Sequence, residues 1–278
     1  MSTRAVHVRP TGHAQESSWV LSPKYFQRIE VTHHSPNSYG HTLRIPQARG
    51  KHQNNRSLVT PPFTLGLEFA GTIVSTLPSS KYKPGDRVFG GGLGSYAQHI
   101  SAKESSLHLI PKDWSFAAAA GLAATAPVSY GGLVIRGQLK KEETVLIHAA
   151  AGGLGLMAVQ IAKAVGARVI ATAGSKEKLA IAKRFGADEV ISYDGGDWWK
   201  TVLELTKGEG MDVIYDSVGL VDKSLKCLKH GGRVLVVGFA GTEGEIEKIA
   251  MNRVLLKQAQ IIGYVSDGFK AQSLKFIE

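Results

Sequence analysis

The sequence predicts an α/β protein: a doubly wound parallel sheet preceded by a β-rich domain. Three observations predict it. The stretch 144–155, TVLIHAAAGGLG, places a glycine turn between an apolar strand-forming run and a helix-like segment. Beyond it, β-prone and helix-prone runs alternate as far as residue 265. Ahead of it, short apolar runs are broken by Gly/Pro turns, the habit of a β-rich, partly barrel-like domain.

The elements follow in order. Residues 4–9 read as a first strand and Pro10-Thr11-Gly12 as a turn. Residues 31–62 are polar, rich in histidine and without periodicity, and read as a long loop. Order resumes at 63–74 (FTLGLEFAGTIV). Lys83-Pro84-Gly85-Asp86-Arg87-Val88 is a turn into a strand, and 95–100 is a further strand candidate. From Asp113 the chain turns helix-prone, and 126–137 reads as a buried helix entering the second domain. After the glycine turn, strands are predicted at 168–173, 189–193, 212–216, 232–238 and 260–265, with helices at 176–185, 198–206 and 221–229. The expected organisation is a first domain over 1–118, a dinucleotide-binding domain over 119–266 and a divergent tail over 267–278.

Composition narrows the partners. The chain has 278 residues, enough for about two domains. With 43% hydrophobic and 20% charged residues it is an ordinary globular composition, and no apolar run is long enough to span a membrane. A cytoplasmic location is expected. Arg4 and Arg9, with no acid before Glu16, leave a mitochondrial presequence as the alternative to a first strand. Cys227 is the only cysteine, which rules out intramolecular disulfides and cysteine-based zinc sites. His33 and His34 are adjacent and would point to opposite faces of a strand, so they read as surface residues rather than a metal pair. The net charge of +10 gathers early: residues 1–60 carry eight Lys/Arg against Glu16 and Glu30. No aromatic-basic platform accompanies it, so nucleic acid is not the expected partner.

The chemistry concentrates at strand ends. In Ala150-x-Gly152-x-x-Gly155 the first small residue allows a tight turn, Gly152 lets backbone approach a pyrophosphate, and Gly155 lets helix and strand pack closely. Phosphates would face the amides at the helix start. An NAD site usually carries an acid about 20 residues past the first glycine, to hold the ribose 2′-hydroxyl. Here that place reads Ala173-Gly174-Ser175-Lys176, with no acid before Glu177. Ser175 as a donor, with Lys176 or Lys178 as a charge, fits a 2′-phosphate and favours NADPH over NAD. Ser175 also suits the N-cap of the following helix. Asp216-Ser217-Val218-Gly219 and Gly238-Phe239-Ala240-Gly241 end central strands, where open α/β sheets bind ligands. No GxSxG elbow or Walker-type loop is present, and spacing alone assigns no catalytic acid or base.

These segments resemble a known family. PFTLGLEFAGTI (62–73), KPGDRVFG (83–90), GSYAQH (94–99), AAGLAATA (119–126), TVLIHAAAGGLG, YDSVG and GGRVLVVGFAG are similar to the zinc-independent medium-chain dehydrogenase/reductases, within them the quinone oxidoreductases of the zeta-crystallin type. The similarity covers about residues 60–265. It implies a GroES-like first domain, a Rossmann second domain and NADPH-dependent reduction of a quinone or related α,β-unsaturated carbonyl. A 2-alkenal or enoyl-thioester reductase is the alternative, as is a cofactor-binding protein with little or no turnover. Carried over residue by residue, the pyrophosphate loop is Ala151, Gly152, Gly153, Leu154 and Gly155. The 2′-phosphate site is Gly174, Ser175 and Lys178 with Tyr193 nearby, and the nicotinamide end is Val218, Gly219, Gly238, Phe239 and Ala240. Thr125 and Asn37 match the family's catalytic-side Thr and Asn. The departures are Gly40 in place of an acid, Gly50-Lys51-His52 in place of Gly-x-Tyr, and Ala120-Gly121-Leu122-Ala123 in place of Gln-Gly-Leu-Thr. The tail after Ser266 does not resemble the family's continuation, so a truncated or variant chain is expected. The resemblance also implies a homodimer through the strand at 260–265.

Overall fold

A computed structural model describes residues 7–8, 26–34, 63–64, 66–194, 196–241 and 247–265. These fall into two compact units that divide between Ala124 and Thr125.

The first unit is antiparallel. Its strands are β1 (His7–Val8), β2 (Phe26–His34), β3 (Phe63–Thr64), β4 (Glu68–Ser75), β5 (Arg87–Gly91), β6 (His99–Lys103) and β7 (Leu107–Leu109). Among the described residues five of them form a sheet in the order β6-β2-β4-β5-β7, while β1 pairs with β3. The link between β4 and β5 is the predicted Pro84-Gly85 turn, with Gly85 at φ +92° and the Lys83 amide donating to the Asp86 carboxylate at 2.9 Å. Phe69, Ile73, Tyr82, Val88, Ile100, Ala102 and Leu107 form the core cluster of this unit. Helix α1 (Phe116–Ala120) follows, capped by Ser115, whose hydroxyl accepts the Ala118 amide at 3.1 Å.

The second unit is parallel. It contains α2 (Leu122–Tyr130, from Thr125 onward), β8 (Thr144–Ile147), α3 (Gly153–Val165), β9 (Arg168–Ala173), α4 (Lys176–Arg184), β10 (Glu189–Ser192), α5 (Trp198–Leu205), β11 (Met211–Asp216), α6 (Val221–Ser224), β12 (Leu228–Val236), α7 (Met251–Leu256) and β13 (Gln260–Gly263). The strand order is β10-β9-β8-β11-β12-β13, every pair parallel. Alternation along the strands feeds two cores. Val145, Ile147, Val169, Val213 and Tyr215 face Ala158, Val159 and Ala162 of α3. Leu146, Ile170 and Ile214 face Trp198 and Val202 of α5 and Val221 of α6. Each fully buried aliphatic side chain contributes about 1.5–3 kcal/mol, and burial on both faces is why these strands read as continuous apolar runs. Among the described residues no helix is long and apolar enough to cross a membrane.

Four local expectations are corrected. Residues 31–34 belong to β2 rather than to a loop, because their backbone pairs with Gly71, Ala70 and Phe69 of β4. The strand expected from Ser95 begins at His99; Ser95 and Tyr96 are spent on a tight approach to Gly66. The helix expected over 126–137 is α-helical only to Tyr130 and then widens, with the Gly137 amide bonded to Gly132 O at 2.8 Å. Gly131-Gly132 is a weak α-helix former, and the Tyr264 ring packs against Gly131. The helix expected over 221–229 stops at Ser224, because Leu228 already pairs with Met211 of β11.

Candidate nucleotide site

The turn after β8 is built from backbone. Gly152 is the N-cap of α3 with φ −79° and ψ 169°, and no side chain caps the helix. The first-turn amides of a 13-residue helix therefore face outward without a side-chain acceptor, which suits a phosphate. The two glycines do different work. A Cβ at Gly155 would lie 2.6 Å from Ala150 Cα, so only glycine lets the helix meet the strand here. A Cβ at Gly152 would meet only Ala149 O, at 3.2 Å, and Gly152 is exposed. Its lack of a side chain leaves room outside the turn. Ala151, Gly153 and Leu154 are half-buried beside it.

The turn after β9 is built from side chains. Gly174 is exposed, and Ser175 caps α4 by accepting the Lys178 amide at 3.3 Å. Lys178 itself is exposed. The Glu177 carboxyl is held below its ordinary range by its own backbone amide and then by the Ser175 hydroxyl. Because β8 and β9 are neighbours, the two turns lie side by side at the same sheet edge.

Tyr193 follows β10 and points back at the first turn: its hydroxyl accepts the Ala149 amide at 2.8 Å. Burial raises its phenol above the usual range.

The ends of β11 and β12 complete the edge. The buried Asp216 carboxylate accepts the amides of Val218 (2.7 Å), Gly219 (2.9 Å) and Leu220 (2.6 Å). The Ala240 and Gly241 amides donate to Ser217 O and Val218 O at 3.2 and 2.8 Å, which ties this loop to Gly238-Phe239-Ala240. Phe239 and Ala240 are exposed. One parallel sheet edge thus brings together every expected cofactor residue. Thr125 is buried in α2, one helical turn before Ser129, whose hydroxyl donates to Leu154 O at 3.0 Å, and Asn37 lies outside the described residues. Among the described residues, no group of three or more His, Cys, Asp or Glu could hold a metal ion.

Sequence reasoning missed the buried polar cluster beneath the turn. His148 is fully buried, with Nδ1 2.8 Å from Thr172 Oγ1 and Nε2 2.9 Å from Ser224 Oγ, and Trp198 meets its ring edge-on at 4.8 Å. Burial holds it neutral, pushed down to about 4, against the opposing pull of Asp216. The signal was a histidine in the apolar run TVLIHAAA, but its partners lie 24 and 76 residues away.

Comparison with known proteins bears on the family and the fold. Residues 40–112 match the alcohol dehydrogenase GroES-like domain, and 153–276 match a family described as zinc-binding dehydrogenase. Quinone oxidoreductase-like protein 2 of Bos taurus is 36% identical over 238 residues, which are 82% of this chain and 66% of that protein. The quinone oxidoreductase of Pseudomonas syringae pv. tomato DC3000 superposes with a TM-score of 0.78 at 31% identity, over 95% of this chain and 80% of that one. The Escherichia coli quinone oxidoreductase, solved with NADPH, superposes with a TM-score of 0.80 at 27% identity, over 98% of this chain and 84% of that one. The chain spans 59–66% of the length of the first three curated relatives.

Proposed function

Because the chain belongs to the zinc-independent quinone oxidoreductases of the medium-chain dehydrogenase/reductase superfamily, we propose that it binds NADPH and reduces a quinone or a related α,β-unsaturated carbonyl. The observation that carries the reading is the uncapped N-terminus of α3 beside the Ser175–Lys178 turn. Ala151, Gly152, Gly153, Leu154 and Gly155 hold the pyrophosphate through backbone amides. Gly174, Ser175 and Lys178 hold the 2′-phosphate, where the Ser175 hydroxyl and the Lys178 ammonium supply a donor and a charge. Val218, Gly219, Gly238, Phe239 and Ala240 form the floor for the nicotinamide end, fixed from below by Asp216. When bound, NADPH supplies the hydride. The protein's part is to orient it, and solvent or a bound water supplies the proton. Thr125 and Asn37 are proposed to stand on the substrate side.

The same reading proposes two domains, with the first serving the substrate. It proposes a homodimer through β13, the edge strand of the sheet, flanked by exposed Leu255, Leu256 and Val265. It places the protein in a reducing compartment, the cytoplasm first and the mitochondrion second. The test follows NADPH oxidation at 340 nm with 9,10-phenanthrenequinone, 1,4-benzoquinone and a 2-alkenal, beside an NADPH binding titration. Oxidation with a quinone is expected. Binding without oxidation of any acceptor would reduce the assignment to nucleotide binding.

A further inference from the structure

Ala149 adopts φ +48°, a left-handed conformation that is uncommon outside glycine. Three contacts hold it there. Its amide donates to the Tyr193 hydroxyl at 2.8 Å, its carbonyl accepts the Gly152 amide at 2.8 Å, and Gly155 packs against the same peptide. The Tyr193 hydroxyl is itself fixed from behind. It lies 2.8 Å from Thr172 Oγ1 and 3.4 Å from His148 Nδ1. His148 continues the chain to Ser224 at 2.9 Å. Thr172, His148 and Ser224 are fully buried, so none of them can reach a ligand at the sheet edge.

We propose that Tyr193 is a positioning residue for the dinucleotide turn, acting through Ala149. Its hydroxyl keeps Ala149 left-handed, and Ala149 in turn sets the direction of the amides at the start of α3. The buried chain of Ser224, His148 and Thr172 keeps the phenol in place. The inference rests on the reading of this turn as a pyrophosphate cradle. It differs from a direct contact between Tyr193 and the 2′-phosphate, because the pyrophosphate is common to both dinucleotides and the 2′-phosphate is not.

The experiment uses the whole chain and titrates NADPH and NADH against Y193F, T172V and the double variant Y193F/A149G. Y193F is expected to weaken both nucleotides by the same factor, about tenfold, as the loss of one buried hydrogen bond would. T172V is expected to give a smaller equal loss, and it serves in place of Y193F if that variant does not fold. The double variant should recover most of the affinity, because glycine adopts the left-handed conformation without help. A loss confined to NADPH, no loss at all, or no recovery with A149G would each overturn the proposal. Hydrogen exchange of the 149–155 amides in the free protein separates this inference from the reading beneath it. Exchange should quicken in Y193F even if the wild-type chain binds neither nucleotide, and unchanged exchange would overturn the positioning role itself.

Discussion

Two turns lie side by side on one sheet edge and are made in opposite ways. The turn after β8 has no side chain in its cap, and its shape comes from Gly155 packed onto the Ala149–Ala150 peptide. The turn after β9 is closed by Ser175 and edged with charged side chains. Backbone amides at a helix start hold any phosphate, so the first turn does not distinguish one dinucleotide from another. Side chains distinguish, and on the proposed reading Ser175 and Lys178 of the second turn are the ones that do so. On this account, holding and choosing are divided between neighbouring strands.

Each turn can be broken separately. The largest effect is expected at Gly155. In G155V the new Cβ meets backbone that cannot move aside, so the second unit should lose more than about 3 kcal/mol and nucleotide binding with it. Urea denaturation and a binding titration read both losses. Gly152 should behave differently. G152V adds a side chain to an exposed position with one tight neighbour, at an expected stability cost of about 1 kcal/mol. Binding of both NADPH and NADH should fall at least about a hundredfold while the melting temperature stays within a few degrees. Retained affinity would remove the pyrophosphate from this turn.

His148, beneath the first turn, makes that half sensitive to acid. Its folded pKa of about 4 lies below the ordinary 6.5. The unfolded chain therefore binds the proton more readily, and stability falls as pH drops from about 6.5 to about 4, then levels off once both states are protonated. The loss should be on the order of 3 kcal/mol in denaturant titrations across that window. In H148N this part of the slope should vanish. The smallest effect on binding belongs to the second turn. S175A should cost about 1 kcal/mol as a lost cap. It should also lower NADPH affinity several-fold and leave NADH unchanged, which competition titration reads. A loss shared equally by both nucleotides would return Ser175 to a purely structural role.

The sequence made the first turn legible because its signal is local. Strand, small residues and helix follow one another, and Gly152 and Gly155 stand where the geometry needs them. The alternating strands were equally plain, since burial on both faces leaves uninterrupted apolar runs. Boundaries failed where tertiary contacts decide them. Leu228 turns strand because Met211 pairs with it, and Gly131-Gly132 unwinds beside Tyr264. The His148 cluster could not be read, because its members come from β9, the β8 turn, the end of β10 and α6 and meet only in the folded sheet. Tyr193 was expected from the sequence near these turns, but its bond to the Ala149 amide is a fact of three dimensions.

The division of labour between the two turns is tested most directly by the relative affinity of the wild-type chain for NADPH and NADH, measured by titration at low and at high salt. The account predicts NADPH tighter by at least about tenfold at low salt, from charge-assisted contacts at Ser175 and Lys178, with the gap narrowing as salt screens the lysine. Equal affinities, or tighter binding of NADH, would contradict it.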